Sequence, residues 1–376
     1  MNRIIYVGID VHSTNFTFCS LEPVFGGEDR LFAQVQTQPG CASVVRYIAN
    51  LRKEIPYKFD VICGYEAGCF GYTLMRQLVE KGIKCLILAP STINVQKGKR
   101  RKSDRRDAEN IVRNMAHNSC SYVHVPDRDD EQIKDYIRMR DDHKSALTKV
   151  KQQIIAFCTR HGYKYPGKSN WTTRHIKWLY DLKLDPLDTE ILNEYMTTYE
   201  YQVNRIDQFN DRIEELASMD AYNEKVNRLR CFLGIETVTA LALIAETGDF
   251  ARFRKGNLYA AYLGLIPGED SSGDAINHKT ISKAGNVHLR KLLIEAAQGI
   301  CKGRIGHKSK ALKAKQRGND SAVIAYADKA NERMRRKYYR MIQRGKTRNI
   351  AVTAVSRELA CFVWGMMTGN IKGTLA

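Results

Sequence analysis

Residues 4–11, IIYVGIDV, are a short apolar run of strand-forming residues with a carboxylate, Asp10, one residue before its end. Such a run bounded by polar residues reads as a buried strand. Working outward, NFTFCSL (15–21) and LFAQVQT (31–37) repeat the pattern at hairpin spacing. The periodicity then changes. SVVRYIANLRKE (43–54) is helical, FDVICGY (59–65) is a fourth strand, YTLMRQLVEKG (72–82) is a second helix, and KCLILAP (84–90) is a fifth strand before a helix that begins at Asp104. Hairpin strands followed by alternating helix and strand predict a mixed sheet flanked by helices.

That order is the ribonuclease H-like arrangement, and it draws attention to four acids. Asp10 closes the first strand, Glu66 follows the fourth, and Asp104 and Asp107 are three apart at a helix start in KSDRRDAENI (102–111), with Ser103 as the expected N-cap. Ligand sites in such sheets gather at strand ends. Carboxylate oxygens suit magnesium, with manganese as the alternative, and paired ions can assist phosphodiester cleavage. Taken singly, an Asp near a helix start is usually a cap or dipole partner. Asp10 and Glu66 differ because they follow apolar runs, where a charge needs a partner or a metal.

The composition supplies the electrostatic context. Sixty Lys and Arg against 41 Asp and Glu give a formal net charge of +19 over 376 residues, favouring a polyanionic partner over acidic small substrates. Part of that charge, including Arg100 and Arg101, crowds the acids in GKRRKSDRR (98–106). A charge run is often no more than a solvated face, but acids embedded in one suit a site that holds metal and phosphate together. The ten cysteines contain no CxxC pair and read as reduced, mostly buried thiols. The start enters a strand at once without a charged leader, and no apolar run approaches the roughly 18 residues of a membrane span. The expectation is a cytoplasmic protein without membrane contact.

Length points to two or three compact units, divided at 1–126, 127–225 and 226–376. In the middle segment, Ile133, Tyr136, Arg140, His143, Leu147, Val150, Ile154 and Phe157 recur at three- and four-residue steps, as do Leu192, Tyr195, Tyr199, Gln202, Ile206, Phe209, Ile213 and Leu216. Two such seams imply a helical hairpin, either a coiled coil or part of an ordinary bundle. Between them GKSNWTTRHIKWLYDLK (167–183) is basic and carries two Trp residues, which suits a nucleic-acid-facing tip or a small core. The last segment is mainly α-helical. It contains a turn between two helices in LRCFLGIETVTALALIAETG (229–248), then a Gly- and Ser-rich loop holding Ser271, Ser272 and Gly273, with Lys283 and Arg290 beyond it. A serine there is ordinarily a turn residue, although a hydroxyl can attack a phosphodiester when the oxygens are neutralised. The tail, 302–318 and 334–349, is densely basic.

The segments GIDVHSTNFTF (8–18), YEAG (65–68), KSDRRDAE (102–109), GIETVTALALIAETGDFARF (234–253), AAYLGLIPGEDSSG (260–273), ISKAGNVHLRKLL (281–293) and RGKTRNIAVTAVSREL (344–359) together resemble the insertion sequence 110 family, transposases with a DEDD catalytic domain that include the Piv-type invertases. The resemblance implies an α/β RuvC-like N-terminal domain, a coiled-coil connector and a helical transposase domain. It assigns the four metal-binding roles to Asp10, Glu66, Asp104 and Asp107, and the nucleophile to Ser272, with Ser271 as the alternative. Family members recombine DNA as circular elements, many with a structured bridge RNA as guide. Lys283, Arg290 and the Arg100–Arg101 patch are then expected to position phosphates, and a homo-oligomer, dimer or tetramer, to act on DNA. The chain departs from the family where Leu233-Gly234-Ile235-Glu236 stands in place of Pro-Gly-x-Gly, which puts a carboxylate at a proposed phosphate contact. Rival readings are an invertase, a nuclease or junction resolvase that uses water, and a basic scaffold without catalysis.

Overall fold

The computed structural model describes residues 3–68, 70–94, 103–272 and 275–371, with no side-chain description for 269–279. The chain forms two compact units, Met1–Val125 and Pro126–Ala376.

In the first unit, β1 (Arg3–Val11), β2 (Phe16–Glu22), β3 (Arg30–Leu31) and β4 (Val35–Thr37) precede α1 (Cys41–Glu54), β5 (Phe59–Glu66), α2 (Thr73–Glu80), β6 (Lys84–Leu88) and α3 (Asp104–Ala116). The sheet order is β3-β2-β1-β5-β6, with β4 also on β2. The hairpin strands β1 and β2 are antiparallel, whereas β1, β5 and β6 run parallel. The mixed sheet is therefore as expected. The third strand differs, because β3 and β4 are separate pieces on the same edge. Leu21 faces Leu31 but Phe18 faces Val35, so one extra residue is accommodated between them, as in a β-bulge.

Alternation sorts the side chains of β1 onto two faces. Ile5, Val7 and Ile9 are fully buried with Phe18 and Tyr65 against Val44, Tyr47, Ile48 and Leu51 of α1 and Leu74 and Leu78 of α2. Each large side chain so buried stabilises the unit by roughly 1.5–3 kcal/mol. The opposite face carries Gly8 and Gly64, and α3 lies directly on them. A Cβ at Gly8 would stand 2.5 Å from the Ala108 carbonyl oxygen and 2.7 Å from the Val112 nitrogen, and one at Gly64 would overlap Met115. These two missing side chains set how closely α3 approaches the strand ends.

The second unit begins with α4 (Arg128–Arg160), α5 (Thr173–Tyr180) and α6 (Pro186–Ala217). The two long helices close their seams on each other. Tyr136 meets Phe209 edge-on at 5.7 Å, and the polar positions pair across the seam: His143 Nδ1 lies 2.8 Å from Gln202 Oε1, and Arg140 Nε donates to Asn210 Oδ1 at 3.0 Å. At the far end a separate small core gathers Val150, Ile154, Phe157, Leu179, Leu192 and Met196, with Trp171 and Trp178 packed on it.

Then follow α7 (Asp220–Arg230), α8 (Thr237–Thr247), α9 (Gly256–Tyr262), β7 (Pro267–Ser272), β8 (Ala275–Ile281), α10 (Val287–Cys301), α11 (Lys310–Gln316), α12 (Ser321–Gln343) and α13 (Arg348–Met367). The Gly- and Ser-rich loop is thus an antiparallel hairpin. Alternation was hidden there by small and polar residues that rank low as strand formers.

One helix, α13, is long and apolar enough to cross a membrane, which corrects the expectation that no segment is. Its apolarity has a packing explanation: Val352, Val355, Leu359 and Val363 are buried in the main core of this unit. The described cysteines are free, with Cys19, Cys63, Cys85, Cys158, Cys231 and Cys301 buried.

Candidate functional site

At the C-terminal end of β1, Asp10 shares a sheet face with Gly8, so its carboxylate emerges beside the start of α3. Asp104 opens that helix. One oxygen or ring nitrogen from each of Asp10, His12 and Asp104 falls within 4.8 Å of the others, and His12 Nε2 is 3.2 Å from Asp10 Oδ2. Asp107, one turn along α3, is near enough for its charge to act on Asp10, but it does not belong to the group of three. Burial raises the pKa of the Asp10 carboxyl; His12 opposes this, and the neighbouring charges of Asp107 and Asp104 add to it. Acids pressed together against partial burial are the arrangement that a divalent cation relieves. The donor set of carboxylate oxygens and one imidazole therefore fits a metal.

Glu66 ends β5, beside β1 in the parallel register that pairs Ile9 with Tyr65. Its side chain is exposed and does not belong to the group of three. Sequence reasoning passed over His12, which opens the turn just past β1, two residues after Asp10. It also passed over Gly8 and Gly64, which carry no chemistry yet determine where Asp104 sits.

Ser271 and Ser272 close β7, with Ser271 opposite Ile276 and Ser272 opposite Ala275. The base of this hairpin is pinned. Ser282 N–H donates to Ile266 O at 2.8 Å, Lys283 N–H to Gly264 O at 3.2 Å, and Asn286 N–H to Tyr262 O at 3.3 Å. Lys283 is exposed with φ 56°, a left-handed backbone unusual for a lysine. Arg290 sits differently from expectation. It is 8% exposed, and its Nη1 donates to the carbonyls of Leu263 at 2.9 Å and Ala284 at 3.4 Å. Its guanidinium braces the hairpin base from within, with its Nη1 turned to backbone carbonyls. Arg100 and Arg101 lie outside the described residues.

The turn before α8 is also held by protein groups. Gly234 has φ 85° and packs on Ala296, Asn331 Oδ1 accepts from Leu233 N–H at 3.0 Å, and Lys315 pairs with Glu236 at 2.7 Å. The carboxylate that departs from the family pattern is thereby neutralised.

A second polar cluster escaped the sequence reading. His288, near the start of α10, lies between Glu246 of α8, at 2.5 Å from Nδ1, and Asp141 of α4, at 3.0 Å from Nε2. Arg138 and Asn286 also donate to Glu246, and Arg140 to Asp141. Burial pushes the His288 pKa down, but hydrogen bonds to Asp141 and Glu246 outweigh it and lift it to about 9. Burial likewise raises Asp141 and Glu246, and their partners reverse this and hold each carboxyl at about 2. Imidazolium and carboxylates stabilise one another, joining three helices at the point where α10 begins.

Comparison with known proteins supplies the activity. A DEDD transposase family of the IS110 type matches residues 7–162, and the transposase family IS116/IS110/IS902 matches residues 226–313. A protein of Sinorhizobium fredii (strain NBRC 101917 / NGR234), described as putative transposase y4qE, is 34% identical over 97% of this chain and 88% of its own length. The transposase for insertion sequence element IS1533 of Leptospira borgpetersenii is 30% identical over 90% of this chain and 96% of its own. That for IS1111A of Coxiella burnetii (strain RSA 493 / Nine Mile phase I) is 26% identical over 88% of each. A DEDD domain implies the use of a divalent metal, in keeping with the carboxylates gathered at Asp10. The chain belongs to the IS110 family of insertion-sequence transposases, enzymes that cleave and rejoin DNA.

Proposed function

We propose that this transposase cuts DNA through a covalent phosphoserine link at Ser272, uses Mg2+ at the acidic cluster, and takes its target choice from a structured guide RNA. The observation that carries this reading is the meeting of Asp10, His12 and Asp104 within 4.8 Å. Asp10, Asp104 and Asp107 would hold the ion, with Glu66 at the adjacent strand end and His12 against Asp10. When bound, the ion supplies charge neutralisation at non-bridging phosphate oxygens and at the leaving oxygen. In this scheme Ser272, at the end of a hairpin whose base is fastened by backbone bonds and by Arg290, is the nucleophile. Attack on phosphorus forms the Oγ–P bond and releases one DNA 3′ or 5′ oxygen, so the bond energy is conserved for rejoining.

Exposed Lys283 and the Arg100–Arg101 patch position phosphates in this scheme. The net charge of +19 supports a backbone-reading protein, and base pairing by a guide would supply sequence choice. The 1–126, 127–225 and 226–376 segments then act as cutting domain, connector and serine-bearing domain. Leu187, Ile191 and Tyr201 leave apolar surface exposed on α6, which supports assembly of more than one protomer along the long helices.

The test compares wild type, Ser272→Ala and Asp10→Asn with element-end DNA and magnesium. A denaturant-resistant protein–DNA adduct in wild type alone is expected. Cleavage without adduct that survives Ser272→Ala would instead make water the nucleophile.

A further inference from the structure

The tip of the α4–α6 hairpin holds a cleft of about 500 Å³ lined by Tyr163, Tyr165, His175 and Trp178, with Lys164 and Asn170 at its edge. Its rings are ordered against one another. Tyr165 meets His175 edge-on at 4.7 Å and lies tilted against Trp178 at 5.3 Å, while Trp178 stacks on His175 at 5.7 Å with 23° between planes. Lys164, Lys168, Arg174 and Lys177 are exposed around these rings, against one exposed acid, Asp181, in the same stretch.

His175 is the unusual member. It is 0% exposed, and its Nδ1 accepts from the Trp171 N–H at 3.1 Å. A ring nitrogen that accepts is unprotonated, so the neutral ring carries its hydrogen on Nε2. Burial lowers the pKa of this histidine, which keeps the ring neutral. Nε2 has no hydrogen-bond partner, although buried donors are nearly always satisfied. Trp171 itself is held at φ 63° by that same bond and stacks on Tyr199 at 5.1 Å. The two tryptophans thus divide the labour: Trp171 closes the small core on one side, and Trp178 lines the cleft.

From this we infer that the hairpin tip is a binding site for an unstacked nucleobase of a single-stranded nucleic acid, with the base against Tyr165 and Trp178, a base acceptor on His175 Nε2–H, and the flanking phosphates on the basic rim. Aromatic faces accept any base, while a buried donor prefers one that turns a carbonyl or ring nitrogen toward it. Duplex DNA keeps its bases stacked and offers the cleft nothing. The site takes strands that base pairing leaves open, whether a loop of an RNA or the displaced strand of a DNA. It rests on the DNA-cleaving role of the family and is independent of the phosphoserine step.

The test uses the full chain with short single strands carrying 4-thiouridine or 4-thiothymidine, photo-crosslinked and mapped by mass spectrometry, alongside binding titrations. Cross-links at Tyr163, Tyr165 or Trp178 are expected, and Trp178→Leu should weaken single-strand binding about 10-fold while leaving duplex affinity unchanged. Should Trp178→Leu fold poorly, the exposed pair Lys164→Gln and Asn170→Ala should give about a 3-fold loss by the same comparison. Preference for RNA would make the source an RNA loop; equal binding of DNA would make it any open strand. Cross-links confined to other segments, or equal losses for single strand and duplex, would overturn the site. Ser272→Ala should retain the cross-links, so failure of the serine chemistry and failure of this site are read separately.

Discussion

Replacing His288 by Gln should cost stability in a way that fades as pH rises. The imidazolium lies between Asp141 and Glu246 with its side chain 15% exposed, and its pKa rises from 6.5 to about 9 on folding. At about 1.4 kcal/mol per pH unit, this corresponds to roughly 3 kcal/mol. The lowered pKa values of Glu246 and Asp141 report the same contacts and are not added to it. Because the folded pKa is the higher one, the stabilisation is complete below pH 6.5 and is lost as pH climbs through about 9. The carboxylates set the other limit. Their folded pKa values of about 2 lie below the ordinary 4.5 and 3.8, so their share is present above those values and disappears as pH falls toward 2. Urea unfolding followed by tryptophan fluorescence isolates the right unit, because all three Trp residues, Trp171, Trp178 and Trp364, fall within Pro126–Ala376. The gap between wild type and His288→Gln should be up to about 3 kcal/mol near pH 6 and should shrink toward zero above about pH 10. A gap that stays constant across that range would mean that the ring's packing matters and its charge does not, and the electrostatic account would be wrong.

Three other substitutions separate architecture from chemistry. Gly8→Ala puts a Cβ 2.5 Å from the Ala108 carbonyl, so α3 must shift; calorimetry should show about 1–3 kcal/mol of lost stability and metal titration a weaker site, and normal metal affinity would refute the role of this close approach. With magnesium as the proposed ion, wild type should gain about 2.7 kcal/mol of stabilisation at a hundredfold excess over the dissociation constant, and Asp10→Asn should keep the fold but abolish that gain; an unchanged response would move the metal elsewhere. Arg290→Lys removes one of the bonds that brace the hairpin and should lower stability by about 1–3 kcal/mol without changing the salt dependence of DNA binding, whereas Lys283→Gln should reduce that salt slope by about one; the reverse pattern would restore Arg290 as a phosphate contact.

What the sequence disclosed and what it hid follow one physical division. Apolar alternation in IIYVGIDV and the period change after residue 40 report which side chains leave water, and that suffices for the mixed sheet and the flanking helices. Asp10 and Asp104 were legible for the same reason, since a carboxylate at the end of an apolar strand and another at a helix start are placed by the elements themselves. His12 was legible in principle, two residues after Asp10 where the first strand gives way to a turn. Contacts that depend on a third element leave no local trace. Nothing near His288 announces that Glu246 and Asp141, 42 and 147 residues away, will enclose it. Arg290 reads in the sequence as a cation beside a serine loop, and its carbonyl partners at Leu263 and Ala284 leave no local trace there. Gly8 is the clearest instance, for a glycine in a strand reads as a weakness in the pattern, yet its missing Cβ lets α3 come close enough to bring Asp104 to Asp10. In this chain the acids were visible as chemistry, but their meeting was decided by a residue with no side chain at all.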